Sequence, residues 1–263
     1  MCGILLHPAA HTRSPAMHNA AYAACGLKAI YHAFDVKPDR LSAAIADARA
    51  LGLRQLAISI PHKEAVMEYL DRVDETALAI GAVNTVTREG EALVGQNTDW
   101  TGALKALRRE IDPKGLRTVV LGAGGAARAV VYGLIQAGAE VSILNRTETR
   151  ASELATQLGA HGAGSLGDLA DLEPEIIVNT TSVGLRSDAS PVRAEDLAHA
   201  SVVMDAVYDP AKTRLLHDAE ENGARIVGGK WMLVHQAAEQ FRIWTQLEAP
   251  LSVMSQAFDQ AGH

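Results

Sequence analysis

The stretch Thr118-Val119-Val120-Leu121-Gly122-Ala123-Gly124-Gly125-Ala126-Ala127 decides the fold class. Four residues suited to a buried strand run straight into a G-x-G-x-x-A pattern, and an alanine-rich segment suited to a helix follows. In a parallel strand–helix–strand unit each small residue has its own task. The first glycine allows a tight turn, and the second lets the backbone approach a pyrophosphate. A small third residue seats the helix close to the strand, and the free N–H groups of the first helical turn face the anion. A second apolar run at 141–144 supplies the next strand. The stretch therefore reads as the phosphate loop of a dinucleotide-binding domain, with Gly122, Ala123, Gly124, Gly125 and Ala126 against the cofactor.

The residues after that second strand choose the cofactor. An enzyme that takes NAD places Asp or Glu there, about 20 residues beyond the loop, to hold the ribose hydroxyls. This chain instead offers Asn145-Arg146-Thr147 and then Arg150. Two guanidiniums and a hydroxyl pair with a 2′-phosphate, which a carboxylate would repel. Cations at a helix start also oppose the helix dipole, which makes an anionic partner the better reason for them. NADP is the expected cofactor.

Outward from this centre the chain is α/β throughout. Strands are expected at 3–6, 31–36, 55–60 and 83–88, with a hairpin at Glu89-Gly90, and later at 118–121, 141–144, 176–179, 202–207 and 225–227. Helical spacing recurs at Leu41, Ala44, Ile45 and Ala48, and again at Ala151, Leu154, Ala155 and Leu158. Ser14-Pro15 opens a helix with Ser14 as its N-cap and Gly26 beyond its end. The tail reads as two helices broken near Pro250. These signals place an α/β domain at 1–99 and a Rossmann-type dinucleotide domain at 100–230, with the tail 231–263 packing on one of them. The 263 residues are 48% hydrophobic but only 4% aromatic, so the core must be built from Ala, Leu, Val and Ile, as parallel strands under helices are. A formal charge of −7 gives no general attraction to nucleic acid or anionic membranes. Cys2 and Cys25 make no disulfide framework, and neither a leader sequence nor an apolar run of about 18 residues is visible. A reducing cytoplasm is the expected setting.

Polar side chains cluster where packing does not ask for them: His11-Thr12-Arg13-Ser14-Pro15, Ser59-Ile60-Pro61-His62-Lys63, Gly81-Ala82-Val83-Asn84-Thr85 and Asn97-Thr98-Asp99. With the glycine loop, Asn145-Arg146-Thr147, Asp205…Tyr208…Pro210…Thr213 and Met232-Leu233…Gln236-Ala237, these motifs stand in an order that resembles the shikimate dehydrogenase family over nearly the whole chain. The resemblance implies a substrate domain and a Rossmann domain around a cleft, with the C-terminal helices returning to the first domain. It implies that Lys63 and Asp99 form the catalytic pair. It also implies that Thr12 and Ser14 hold a substrate carboxylate, and that Ser59, Asn84, Thr85, Tyr208 and Gln236 line the rest of that site. Thr180, Val207, Gly229 and Met232 complete the cofactor site in the same reading. The implied reaction is the NADP-dependent interconversion of 3-dehydroshikimate and shikimate in aromatic amino-acid biosynthesis, by a monomer or homodimer that binds neither nucleic acid nor membrane.

Chemistry agrees with these residue types. An ammonium beside a carbonyl oxygen stabilises the alkoxide that forms as hydride arrives, and a carboxylate fixes the lysine. Lys63 is expected at a helix N-terminus. Hydride transfer to nicotinamide needs no metal, so His11, His18 and His62 read as polar framework residues. Four departures stand out against the resemblance: Thr12 for a serine, Ser59 for a threonine, Ala57 for an asparagine, and Lys230-Trp231, where a small glycine is usual before Met232. An indole there is expected near the nicotinamide, as in a divergent member. Two alternatives stay open: a dehydrogenase for quinate or a related cyclohexane carboxylate, and an NADP-binding sensor without turnover.

Overall fold

The computed structural model describes residues 2–10 and 12–261; His11, one of the expected framework histidines, lies outside them. The described elements begin with β1 (Cys2–Leu6), α1 (Ser14–Ala24), β2 (Tyr31–Asp35), α2 (Leu41–Ala50), β3 (Gln55–Ile58), β4 (Arg72–Val73), α3 (Glu75–Ile80), β5 (Thr85–Glu89) and β6 (Ala92–Gln96). Next come α4 (Asp99–Leu107), β7 (Arg117–Leu121), α5 (Gly125–Gln136), β8 (Glu140–Leu144), α6 (Glu148–Leu158) and β9 (Gly162–Gly164). Then follow β10 (Ile176–Asn179), β11 (Val202–Asp205), α7 (Arg214–Glu221), β12 (Arg225–Val227), α8 (Gly229–Thr245) and α9 (Leu251–Gln260). The chain divides into two compact units. One is built from residues up to Thr98 together with those from Val234 onward, and the other is Asp99–Leu233. The second division falls inside α8.

In the first unit the strand order is β2-β1-β3-β5-β6-β4. β1 lies parallel to β2 and β3, while β5 runs antiparallel to both β3 and β6. Every residue of β1 is buried, as a strand covered on both faces must be. Leu5, Leu56, Ile58, Val86 and Leu93 pack with Leu41, Ile45 and Ala48 of α2 in one core cluster. Cys2, Tyr31 and Gln55 lie opposite one another across β1, β2 and β3. The mixed directions have a consequence for the site. The carboxyl ends of β1, β3 and β6 and the start of β5 share one edge of the sheet.

In the second unit the six strands are all parallel, in the order β12-β11-β10-β7-β8-β9. Read from β9 this is the 3-2-1-4-5-6 order of a dinucleotide fold, with its switch point between β7 and β10. Val120, Ile143, Val178 and Met204 face α4 and α5, whereas Val119, Leu121, Ile177 and Val203 join α7 in a second cluster. Neighbouring strand residues thus enter opposite cores, which explains the unbroken apolar runs.

Local readings of the sequence needed correction at several points. Ser14 is the first residue of α1 and not its cap. Arg13 holds the cap position with a helical backbone and no side-chain bond, and the Ser14 N–H points to Thr12 Oγ1 at 3.4 Å. Lys63 lies in a turn ahead of a 3-10 segment, Ala65–Tyr69, and not at the N-terminus of an α-helix. β3 stops at Ile58 because a turn with His62 N–H donating to Ser59 O, 2.9 Å, takes over, and Ile60 is exposed. β5 starts at Thr85, since Val83 N–H donates to Lys63 O, 2.8 Å, instead of joining the ladder. β11 ends at Asp205: the Ala206 N–H closes the ladder on Asn179 O at 2.9 Å, and the Val207 N–H turns to the Asp205 carboxylate at 2.9 Å. The short β4, α3 and β9 were not read at all. α3 nevertheless carried both end signals, Asp74 accepting from Ala77 N at 2.6 Å and Gly81 at φ 73°.

Candidate functional site

The glycine loop leaves β7 at the switch point and enters α5. Gly122 has φ 113°, a region closed to other residues, and a Cβ built there would lie 2.7 Å from Thr180 Oγ1. Thr180 itself follows β10, and its hydroxyl donates to Leu121 O at 2.7 Å, so the ends of β7 and β10 are tied together behind the loop. Gly124 is the N-cap of α5 and caps nothing with a side chain. A Cβ there would meet no atom within 4 Å. The loop therefore presents uncapped helix N–H groups to open space, which suits an anionic ligand.

Around it stand the other residues named for the cofactor. Arg150 Nη2 donates to Ala123 O at 3.3 Å, which brings that guanidinium to the loop. Asn145 Nδ2 donates to Thr147 O at 2.9 Å and shapes the turn that exposes Arg146 and Thr147. No carboxylate takes the position after β8, so this arrangement fits a 2′-phosphate. Val207 N–H donates to Asp205 Oδ1 at 2.9 Å, and a Cβ at Gly229 would lie 2.4 Å from Ala206 O. Gly229 is thus required by the crossing backbone. Ala126 is half-buried on α5, and Met232 is buried in the core of the second unit.

Asp205 is the organiser that motif reading named without a role. It is fully buried and accepts from Thr213 Oγ1 at 2.6 Å, Val207 N and Asn179 Nδ2, the last two at 2.9 Å. Burial pushes its carboxyl above the usual range and these three donors pull it back. The result fixes the turn Ala206–Val207 that precedes the half-buried Tyr208.

The first unit gathers the other residues at the shared sheet edge. Thr12 and Ser14 follow β1, Ser59 and Lys63 follow β3, and Thr85 opens β5 beside Gln96 of β6. The Val83–Lys63 backbone bond sets Lys63 next to Asn84, and Ile58 N–H donates to Asn84 O at 2.8 Å. Asn84 and Thr85 are buried, and their side chains form one network. Asn84 Nδ2 donates to Thr98 Oγ1 at 3.0 Å and to Gln236 Oε1 at 3.2 Å. Asn84 Oδ1 accepts from Thr98 N and from Thr85 Oγ1, each at 2.7 Å. Asn97 Nδ2 holds Ala82 O at 2.9 Å. The structure thus collects Lys63, Asn84, Thr85 and Gln236, separated by up to 173 positions, in one unit. Asp99 is buried at the start of α4 in the other unit, directly after Thr98 in the chain.

Gln240 was missed by reading the sequence. It is buried, one helical turn after Gln236 on α8, and donates to Asn84 O at 3.1 Å and Thr85 Oγ1 at 3.0 Å. The i, i+4 spacing to Gln236 was the available signal. Among the described residues one group of metal-type side chains gathers, His217, Asp218 and Glu221 on α7. The Asp218 carboxylate there is taken by Arg214 Nε at 2.7 Å.

Comparison with known proteins places this geometry. Residues 4–86 match the family model of the shikimate dehydrogenase substrate binding domain, residues 105–201 that of shikimate / quinate 5-dehydrogenase, and residues 229–257 that of the shikimate 5′-dehydrogenase C-terminal domain. The chain is 43% identical to a shikimate dehydrogenase (NADP(+)) of Moorella thermoacetica over 99% of its own length and 93% of the relative's. The chain belongs to the shikimate dehydrogenase family. A Methanopyrus kandleri member is 46% identical over 97% of this chain and 93% of its own. The solved shikimate 5-dehydrogenase of Thermus thermophilus, in complex with NADP(H) and shikimate, superposes with a TM-score of 0.93 at 39% identity, covering 99% of this chain and 98% of that one.

Among the departures from the shikimate dehydrogenase pattern the bulkiest is Trp231, in the first turn of α8. The indole is stacked under the Arg109 guanidinium, 3.7 Å from the ring centroid, and packs on the core of the second unit. Arg109 lies past the end of α4 that is remote from Asp99. Trp231 therefore fastens the first turn of α8 to the end of α4, a contact worth roughly 0.5–2 kcal/mol. Ala57 is buried on β3 opposite Thr85, and Ser59 is half-buried at the turn after it.

Proposed function

We propose that this chain is an NADP-dependent oxidoreductase that interconverts 3-dehydroshikimate and shikimate, in the biosynthesis of aromatic amino acids. The observation that carries this reading is the set of hydroxyls and amides, Thr12, Ser14, Ser59, Asn84, Thr85 and Gln236, at the sheet edge that also bears Lys63. A small polyhydroxylated acid needs such a lining, and family membership supplies its identity. Thr12 and Ser14 receive the carboxylate through their hydroxyls, and Asn84, Thr85, Tyr208 and Gln236 receive the ring hydroxyls. The residues up to Thr98 and from Val234 onward act as the substrate domain, and Asp99–Leu233 act as the cofactor domain.

NADPH, when bound, supplies the hydride. Lys63 delivers a proton to the ketone oxygen as hydride reaches its carbon, and in the reverse direction takes that proton from the alcohol. Asp99 completes the pair by holding the lysine on the oxygen. Gly122, Ala123, Gly124, Gly125 and Ala126 carry the pyrophosphate, and Asn145, Arg146, Thr147 and Arg150 the 2′-phosphate. Thr180, Val207, Gly229 and Met232 border the nicotinamide end. Among the described residues no helix is long and apolar enough to cross a membrane. With both cysteines free, the setting proposed is the cytoplasm, as a monomer or homodimer. Oxidation of shikimate with NADP, followed by nicotinamide absorbance, tests the reading. Tight NADP binding without turnover would favour a sensor instead.

Two expected results follow from the same assignment. Arg146→Ala raises the KM for NADP by about 10-fold or more and leaves that for NAD nearly unchanged, because one charge-assisted contact is worth about 1.5–3 kcal/mol. Equal kcat/KM for the two cofactors in the unmodified enzyme contradicts this. The family model's description also covers quinate, which sets the hydroxylated carbon of its carboxylate against the Thr12–Ser14 corner. Thr12 adds a methyl to that corner, and an unpaired buried hydroxyl costs about 1–3 kcal/mol. Shikimate is therefore favoured over quinate by at least about tenfold in kcat/KM. Equal rates at low concentration would transfer the assignment to quinate.

A further inference from the structure

We infer that Gln240 is a positioning residue that sets the hydrogen-bonding direction of Asn84 and Thr85 toward the substrate; this rests on the reading of those two residues as substrate-binding. The inference starts from a buried amide. Gln240 is 1% exposed, on the face of α8 that also bears Gln236. An apolar side chain fills such a place at less cost, so the glutamine is explained by what its amide holds. The backbone does not require it. Asn84 O already accepts from Ile58 N at 2.8 Å, and the Gln240 contact of 3.1 Å is a second bond to the same oxygen.

The contact with Thr85 does what no other described bond does. A hydroxyl has one hydrogen, and the Gln240 N–H aimed at Thr85 Oγ1, 3.0 Å away, makes that oxygen an acceptor there. The Thr85 hydrogen is then left to Asn84 Oδ1 at 2.7 Å. Together with Thr98 N–H, also at 2.7 Å, it fixes Oδ1 as the acceptor end of the Asn84 amide. Nδ2 consequently points to Gln236 Oε1 and Thr98 Oγ1. One donor on α8 thus sets the polarity of a chain that runs Gln240, Thr85, Asn84, Gln236. Gln55 Nε2 supports the same stretch of α8 from β3 by donating to Gln240 O at 3.4 Å. Were the donor replaced by an acceptor, the Thr85 hydrogen would turn toward it and Asn84 Oδ1 would lose one of its two short bonds, keeping that from Thr98 N.

Two variants test this. Gln240→Met keeps length and volume but removes the donor; the KM for shikimate is expected to rise about 5- to 20-fold, with kcat within about threefold and the KM for NADP within about twofold. Gln240→Glu adds a readout that packing alone cannot move. The Gln240 side chain lies beside the buried His18 imidazole, so this variant is read in a His18→Phe background, where no imidazole can take the proton of the introduced carboxyl. Burial then keeps that carboxyl protonated to higher pH than usual, and the protonated form donates to Thr85 as the amide does. Its shikimate KM relative to the His18→Phe enzyme is therefore expected near one at about pH 6 and about tenfold higher by about pH 9. A purely structural role predicts a lower melting temperature with unchanged KM in the methionine variant, and a flat KM ratio across pH in the glutamate variant. Either result overturns the inference. If the methionine variant fails to fold, the glutamate ratio decides alone. Unmodified protein that turns over no shikimate sinks the functional reading itself, whereas normal turnover with KM unmoved in both variants sinks only the role of Gln240.

Discussion

Lys63→Ala lowers kcat for shikimate oxidation by about 10²-fold or more, and Asp99→Ala does the same. The expectation rests on what each side chain is asked to supply. Hydride cannot leave the alcohol carbon unless its oxygen loses a proton in the same event, and the lysine amine is the group assigned to take it. Neither substitution should unfold the protein. The Lys63 side chain is half-buried in a turn whose contact with Val83 is made by the backbone carbonyl. Asp99 contributes a first-turn carboxylate to α4, worth about 0.3–1 kcal/mol. If the two act as the proposed pair, the double variant should be little slower than either single one. Steady-state rates on variants whose circular dichroism matches the unmodified enzyme decide it. Near-native kcat in either folded variant removes the pair from the mechanism.

The second large effect is on stability against acid, and its source is His18. The imidazole is fully buried, stacked on Tyr31 with 4.3 Å between ring centroids, and neither ring nitrogen meets a hydrogen-bond partner. Burial lowers its pKa from the ordinary 6.5 to about 3, and the nearby Gln240 side chain offsets this slightly. The groups packed around it offer no counter-charge. Burial pushes the ionisations of Tyr22, Tyr31 and Cys2 upward, and Trp244 and Phe241 carry none. A histidine whose folded pKa is depressed contributes stability above the unfolded pKa and loses it as pH falls. The loss therefore begins near pH 6.5 and continues toward the folded value of about 3. Between pH 7 and 5 one such group removes about 2 kcal/mol. His18→Phe keeps the ring stack and deletes the titration, so its stability should fall by about 2 kcal/mol less over that interval. Urea unfolding at the two pH values measures this, and equal losses in both proteins would refute it. Asp205 works in the opposite sense. Its raised carboxyl makes it a cost that grows as pH rises above the ordinary carboxylate range.

The legible part of the fold was the part written in contiguous residues. β10 and β12 fell on the predicted residues, and β7 began one residue early, because strands buried on both faces read as unbroken apolar runs. What failed were the places where a distant partner captured a backbone group. β3 and β5 each lost two residues at the edge that bears Lys63, where the His62 N–H closes a turn onto Ser59 O and the Val83 N–H goes to Lys63 O. Ser59 N and Asn84 N still donate to Leu5 O and Gln96 O of the neighbouring strands. Ser14 looked like a cap because Ser-Pro often is one, yet it is buried and enters the helix. The cap position fell to Arg13, which is held by Phe258 of α9 through its ring at 4.4 Å and its carbonyl at 3.4 Å.

The same division runs through the site. By itself the sequence determined the dinucleotide fold, the absence of an acid after β8, and the candidate set from Thr12 to Gln236, since each is carried by residue type and local order. Only the tertiary structure decided that Trp231 lies under Arg109, that Gly229 is demanded by the Ala206 backbone, and that Gln240 joins Asn84 and Thr85. Those outcomes depend on which groups meet after strands and helices pack. A hydrogen bond or stacked ring between residues 122 to 156 positions apart leaves no periodicity in the chain to be read.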